Sequence, residues 1–309
     1  MGNANTNEKK KTQEVDFSKA ESFDLAAGMV LNKCVGYHCY QHYSRMESIL
    51  TKIIQKRWFL TRCSSKKMND WQEPRKFDNW QGALKRSYVA CFVRGSAEDV
   101  AMWGLYGKSN PLALRVTIPG KTLEKWMSEI EIKASKGKSC SDRLKKLGAK
   151  KSDGTPIHSR DICASVFRDV LYAAVNKDDH EEFATVRSNA VCWRNKYYHF
   201  KDGEDVESRV FSGQYAGFIK DYEWNYEKET RLCVELKKDI GEDNISIAIP
   251  DYVIENMRFT LSPWLPKENE RIVVSILKTV LKDAGVDIEK NKSVQRFHHS
   301  NLRGALNFK

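Results

Sequence analysis

The sequence predicts an α+β protein. Strand-length apolar runs such as Tyr88-Val89-Ala90-Cys91-Phe92-Val93 lie among segments of helical periodicity, without the regular alternation of a doubly wound sheet. No internal repeat is present. With 309 residues, 41% of them hydrophobic, the chain can close a substantial core as one elaborated domain.

Residues 1 to 25 are expected to form a disordered polar tail, and 26–309 a single domain. Met1 to Thr6 fit the loose pattern for myristoylation, but chance is the better explanation, because a disordered polar leader looks the same. From Arg45 to Lys56, the residues Met46, Ile49, Leu50, Ile53 and Ile54 fall on one helical stripe, and Trp58-Phe59-Leu60-Thr61 reads as a short strand. Tyr88 to Val93 is a second strand. A helix from Ala97 to Gly107 and a strand from Leu112 to Ile118 follow, and Pro119-Gly120 breaks the chain before a basic insertion at about 121–155. Helical patterns are expected over Ile157–Ala174, Asp179–His199 and about Asp205–Phe218, so the segment 157–218 is predicted to be mainly helical. Strands are predicted at Leu232–Leu236, Ile245–Ile249 and Met257–Leu261, and a helix at Glu268–Ala284 stopped by Gly285.

No apolar run is long enough to span a bilayer and no charged-then-apolar leader opens the chain, so it reads as cytoplasmic with no membrane partner. Its eight cysteines are scattered without a CxxC pair, which fits reduced core thiols better than zinc ligands. The net charge of +11 favours a polyanionic partner. Much of that excess is local, with ten Lys and Arg against four Asp and Glu between Lys121 and Lys151. The stretch begins as an amphipathic helix with Leu123, Trp126, Met127 and Ile130 at helical spacing, then loosens. Lys133, Lys136, Lys138, Lys145 and Lys146 are its candidate contacts to a phosphate backbone, and an ordinary solvated insertion is the alternative.

The run Trp224-Asn225-Tyr226-Glu227-Lys228-Glu229-Thr230-Arg231 sets two carboxylates, two aromatics and a guanidinium at the entry to an apolar strand. Alternation puts Glu227, Glu229 and Arg231 on one face, where they would converge on one pocket. A carboxylate held beside aromatic rings and a fixed cation suits stabilisation of a developing positive charge. The competing reading is an exposed edge strand that these charges merely solubilise.

Four separated segments carry a resemblance: His42-Tyr43-Ser44-Arg45-Met46-Glu47-Ser48-Ile49-Leu50; Ser64-Ser65-Lys66-Lys67-Met68-Asn69-Asp70; Cys91-Phe92 with Met102-Trp103-Gly104-Leu105-Tyr106; and Lys220 with Trp224, Tyr226, Glu227, Glu229 and Arg231. In order and spacing, over about 37–303, they resemble a large bacterial family known as a domain of unknown function. Behind it stands the ADP-ribosyltransferase superfamily, including nucleic-acid-modifying toxins of the DarT type. Ser44 stands where the family commonly has Thr, Arg45 where it has Ser, and Val93-Arg94 replaces the usual Ser after Cys-Phe.

The resemblance implies a split mixed or antiparallel sheet core with helical insertions, and NAD as substrate with no metal. Glu229 would stabilise the cationic sugar formed as the nicotinamide bond breaks, with Glu227 in reserve and Arg231 keeping a carboxylate ionised. His42 would contact the adenosine half of NAD, Tyr43 or Tyr106 would stack on nicotinamide, and Ser44 would donate to its amide. Asn69 and Asp70 would line the ligand or form an Asx turn, and Lys220 would meet phosphate or substrate. The acceptor would be nucleic acid, RNA favoured, in phage defence or a toxin–antitoxin pair with a neutralising protein. Two other readings stay open. One is a metal-dependent nuclease using Asp70, Glu73 and Glu229, and the other a non-catalytic nucleic-acid-binding or interaction module. No Rossmann or P-loop fingerprint occurs.

Overall fold

The computed structural model describes residues 37–65, 68, 81–132, 140–173, 190–193, 196–199, 217–287 and 296–303. The expected tail, Asn69, Asp70, Glu73, Lys133, Lys136, Lys138 and nearly all of the expected helix at 205–218 lie outside them.

Among the described residues, ten strands form one mixed sheet around β3 (Ser87–Arg94). One edge of β3 is taken along almost its whole length by β11 (Glu229–Leu236), from Glu229 opposite Val93 to Glu235 opposite Ser87. Its other edge is shared. β1 (Cys39–Arg45) pairs only at Tyr40–Arg94 and Gln41–Val93, and β2 (Arg57–Arg62) only at Thr61–Val89 and Arg62–Tyr88. The two strands diverge, and the sheet splits opposite Ala90, Cys91 and Phe92. Beyond β1 lie β4 (Ala113–Pro119), β13 (Arg258–Leu261) and β14 (Phe297–His298). Beyond β2 lie β12 (Asn244–Ala248) and β5 (Lys150–Lys151), while β6 (Ile162–Asp169) covers the far edge of β11. All these pairings are antiparallel except β13–β14.

α1 (Met46–Gln55), α4 (Gly120–Ile130), α6 (Asp251–Glu255) and α7 (Glu270–Asp283) join the main core through Ile49, Ile53, Leu123, Trp126, Val253, Leu277 and Leu281, against Tyr40, Phe92, Val116 and Phe259. On the opposite face α3 (Val100–Gly107) buries Met102 and Trp103 against Tyr43 and Ala113. It starts three residues later than expected because Asp99 caps it, its carboxylate accepting from the Ala101 and Met102 amides at 2.7 and 3.3 Å. Pro119 and Gly120 make no loop, since β4 runs to the proline and α4 begins at the glycine. α1 departs from its expected stripe by burying Lys52 and leaving Ile54 60% exposed. At 100° per residue Lys52 lies only 60° from Ile49, whereas Ile54 lies 140° away.

Within the region expected to be helical, the described residues are mostly strand. Where Ile157–Ala174 was predicted to be helix, β6 and β7 (Leu171–Ala173) form. Where Asp179–His199 was predicted to be helix, the described residues form the antiparallel pair β8 (Ala190–Trp193) and β9 (Lys196–His199). β10 (Ile219–Asp221) runs parallel to β7 and completes a second sheet of order β10-β7-β8-β9. The misreading of β6 has a local cause. Its register with β11 shifts between Glu235 and Leu236, leaving Cys163 as an extra residue between Ile162 and Ala164. That bulge sets the buried residues Ile162 and Ser165 three apart before Phe167 and Asp169 resume alternation, so the strand lacks the unbroken period of two that would mark it in the sequence. The short helix α2 (Gln81–Arg86) leads into β3, and α5 (Cys140–Leu147) lies against α4.

Candidate active site

The split in the sheet opens a cleft of about 590 Å³ whose walls come from β1, α1, β2, β3, α3, β10, β11 and β12. It brings His42, Tyr43, Ser44, Tyr106, Lys220, Glu229 and Arg231 together on one surface. Glu227 lines a small adjoining pocket shared with His42, Tyr106 and Glu229. The exposed edge strand considered from sequence is not what forms, because β3 and β6 flank β11 on both sides. Glu227, Glu229 and Arg231 are 1%, 2% and 0% exposed.

Strand alternation builds the acidic centre. Glu229 and Arg231 fall on one face of β11, where Arg231 donates from Nε and Nη2 to the two oxygens of Glu229, each at 3.0 Å. Thr230, on the opposite face, donates to Asp169 instead. Arg231 Nη1 also donates to the carbonyl of Gly217 at 2.5 Å. Gly217 has φ +83°, and a Cβ there would lie 2.9 Å from Cys63 Sγ, so glycine is required where the chain comes in to hold the guanidinium. β10 delivers the buried ammonium of Lys220 between the two acids, touching Glu227 and lying 3.5 Å from Glu229 Oε2. Lys220 also sits 4.6 Å from the Trp224 ring centroid.

The two acids differ in strength. Burial pushes the Glu229 carboxyl up, but Arg231 and then Lys220 outweigh it, and its pKa falls to about 2. Glu227 ends the 3₁₀ turn Tyr222–Glu227. Desolvation and the neighbouring charge of Glu229 raise its pKa against the pull of Lys220 and of the Tyr106 hydroxyl, which donates to Oε1 at 3.0 Å. A carboxylate ionised at neutral pH thus stands next to one that is easier to protonate.

Cys91 links the acidic side to β1. Its thiol is hydrogen-bonded to Glu229, and burial holds it well above the ordinary thiol range, so it remains a thiol. Its carbonyl, on the β3 edge left open by the split, lies 3.1 Å from His42 Nδ1. Burial and then the charge of Lys52 lower the His42 pKa to about 3, so the ring is neutral. A neutral imidazole facing a carbonyl carries its proton on Nδ1, which leaves Nε2 as an acceptor. Nε2 is shielded from solvent and has no hydrogen-bond partner among the described residues, so the cleft holds a buried acceptor suited to a ligand hydroxyl or amide.

Tyr43 is fixed in place. Its hydroxyl donates to Gln41 Oε1 at 2.7 Å, and its ring meets Trp103 edge-on at 5.0 Å. Tyr106, also on the cleft wall, is the freer of the two rings for stacking. Ser44 is half-buried on the same wall. Lys145 and Lys146 are exposed on α5, away from the cleft lining, and Lys146 pairs loosely with Glu129 at 3.8 Å. Sequence reasoning missed Lys52, Ser48 and Cys91. The available signal for Lys52 was a lysine between Ile49 and Ile53 on the apolar face of α1.

Among the described residues no group of three or more His, Cys, Asp or Glu is arranged to hold a metal, and the Glu229 oxygens are committed to Arg231 and Lys220. No helix among them is long and apolar enough to cross a membrane. Comparison with family models, curated proteins and solved structures gives no match.

Proposed function

We propose that the chain is an NAD-dependent ADP-ribosyltransferase acting on nucleic acid, RNA in preference, with an ADP-ribosyltransferase fold. The observation that carries this is the ionised, buried Glu229 carboxylate in one cleft with, and across β3 from, the neutral His42, whose Nε2 has no partner among the described residues. Breaking the bond between nicotinamide and ribose releases neutral nicotinamide and leaves positive charge on the sugar. Glu229 is placed to stabilise that charge while Arg231 fixes its plane. The acceptor loses a proton as its bond to the sugar forms, and Glu227, with its raised pKa, is the base for it. His42 takes a hydroxyl of the dinucleotide, and Ser44 and Tyr106 hold the nicotinamide end.

The positive charge of the chain supports a polyanionic acceptor, and Lys145 and Lys146 are its candidate contacts among the described residues. A toxin role in phage defence, in the cytoplasm and with a neutralising antitoxin, follows from the family resemblance. The test is to incubate the purified chain with labelled NAD and, separately, RNA, single-stranded DNA and protein, following nicotinamide release and label transfer. Transfer to RNA is expected. NAD binding without transfer to any acceptor would sink the reading.

A further inference from the structure

The cations that line the cleft do not share one situation. Lys220 and Arg231 are engaged by Glu227 and Glu229, and Lys108 is exposed at the end of α3. Lys52 is different. It is 5% exposed, and among the described residues it meets no carboxylate. Its ammonium donates to Ser48 Oγ at 2.8 Å and lies 5.5 Å from the Trp58 ring centroid, and both partners are neutral. Burial alone lowers its pKa to about 8, which still leaves it charged at neutral pH.

Such a lysine is costly to the fold. A buried ammonium with neutral partners has surrendered hydration that a hydroxyl and an indole face restore only in part. Methionine would fill the same volume without that cost. Charge kept at a stability cost on the wall of a cleft points to a ligand of opposite sign.

We propose that Lys52, with the Ser48 hydroxyl beside it, anchors the diphosphate of a dinucleotide in this cleft. The identity of the dinucleotide rests on the NAD reading; the sign of the site rests on the lysine's own surroundings. The diphosphate is the only anionic part of NAD, and it needs a cation that no protein carboxylate already neutralises. Lys52 supplies it on α1, while Glu229 stands on β11. His42 lies near enough to Lys52 to feel its charge, and its Nε2, without a partner among the described residues, is an acceptor suited to a ribose hydroxyl next to a phosphate.

The experiment is isothermal titration of the full chain with ADP, and separately with inorganic pyrophosphate, at pH 7 and fixed salt. For Lys52→Met the affinity for both should fall about tenfold to hundredfold, the range for a charge-assisted hydrogen bond. Its melting temperature without ligand should equal or exceed that of the unmutated chain. Lys52→Gln keeps a hydrogen-bond donor and serves if the methionine variant does not fold. Unchanged ADP affinity in either folded variant overturns the assignment. So does loss of binding accompanied by a lowered melting temperature, which would make Lys52 structural. The two proposals fail separately. ADP binding that depends on Lys52 in a chain that transfers nothing from NAD leaves the anion site standing without the transferase. Transfer with an unchanged KM for NAD in Lys52→Met leaves the transferase without this anchor.

Discussion

Glu227 and Glu229 share one ammonium, that of Lys220, yet are driven in opposite directions. Glu229 has the Arg231 guanidinium forked onto both its oxygens and becomes the stronger acid. Glu227 has only its part of Lys220 and a phenol, and takes the repulsion. One cation between two carboxylates, with a second cation on one of them, is enough to give neighbouring acids separate protonation states.

Glu229→Gln should lower the rate of ADP-ribosyl transfer by about 10²-fold or more. It should also destabilise the protein. Arg231 is fully buried, and removing the carboxylate that its guanidinium forks onto breaks a buried ion pair, a loss of about 3–5 kcal/mol. Denaturant unfolding alongside the transfer assay separates the effects. Arg231→Met combined with Glu229→Gln should recover stability relative to the single change while transfer stays lost. Full transfer by Glu229→Gln together with an inactive Glu227→Gln would exchange the roles of the two acids.

The same pair gives a pH dependence. The folded-state pKa of Glu229, about 2, is below its ordinary value of 4.5. Its contribution to stability is therefore fully present above pH 4.5, and is lost as pH falls toward 2. A shift of this size corresponds to about 3 kcal/mol. Between pH 5 and pH 2 the stability of the unmutated chain should fall more steeply than that of Glu229→Gln. Parallel curves would show that the ion pair is not what depresses this carboxyl.

Tyr106→Phe removes the hydrogen bond that favours ionised Glu227, so the Glu227 pKa should rise further. If Glu227 takes the acceptor's proton, the acid limb of the profile of kcat against pH should move to higher pH while the plateau rate changes less. An unmoved acid limb would remove Glu227 from the role of base.

How much of this was legible in the sequence depends on how local each signal was. Glu229 and Arg231 alternate within one strand, and the helix carrying Trp103 and Tyr106 spans only two turns, so their faces could be read directly. Lys220 reaches the acids only through β10, a strand of a second sheet whose pairing no short window contains. β6 was misread because its bulge at Cys163 interrupts the period of two that marks a strand. Lys52 was passed over because a lysine on an apolar stripe is ordinarily assigned to solvent. The split itself was expected only through family resemblance. It follows from β1 and β2 sharing one edge of β3 at opposite ends, which no periodicity encodes.

Gly217→Ala tests whether the approach of that loop positions Arg231. The substitution meets a positive φ and a sulfur at 2.9 Å, so it should cost about 2 kcal/mol or more. It should also shift the Gly217 carbonyl from Arg231 Nη1 and loosen the guanidinium on Glu229. Transfer should fall with little change in the KM for NAD. If stability drops and the turnover of the folded fraction stays the same, the glycine serves the fold alone.

Acceptor binding makes the last prediction. If the basic insertion contacts phosphates, each lost contact should reduce the slope of log affinity against log salt by about 0.7 for single-stranded nucleic acid. Changing Lys133, Lys136, Lys138 and Lys145 to Gln should therefore flatten that slope by about 3 if all four are engaged. The affinity for NAD should hold, because the one described member of the set, Lys145, is exposed on α5 and absent from the cleft lining. RNA binding by the fourfold variant that equals that of the unmutated chain across the salt series would return this stretch to the solvated surface. The acceptor's phosphates would then have to be met elsewhere on the protein.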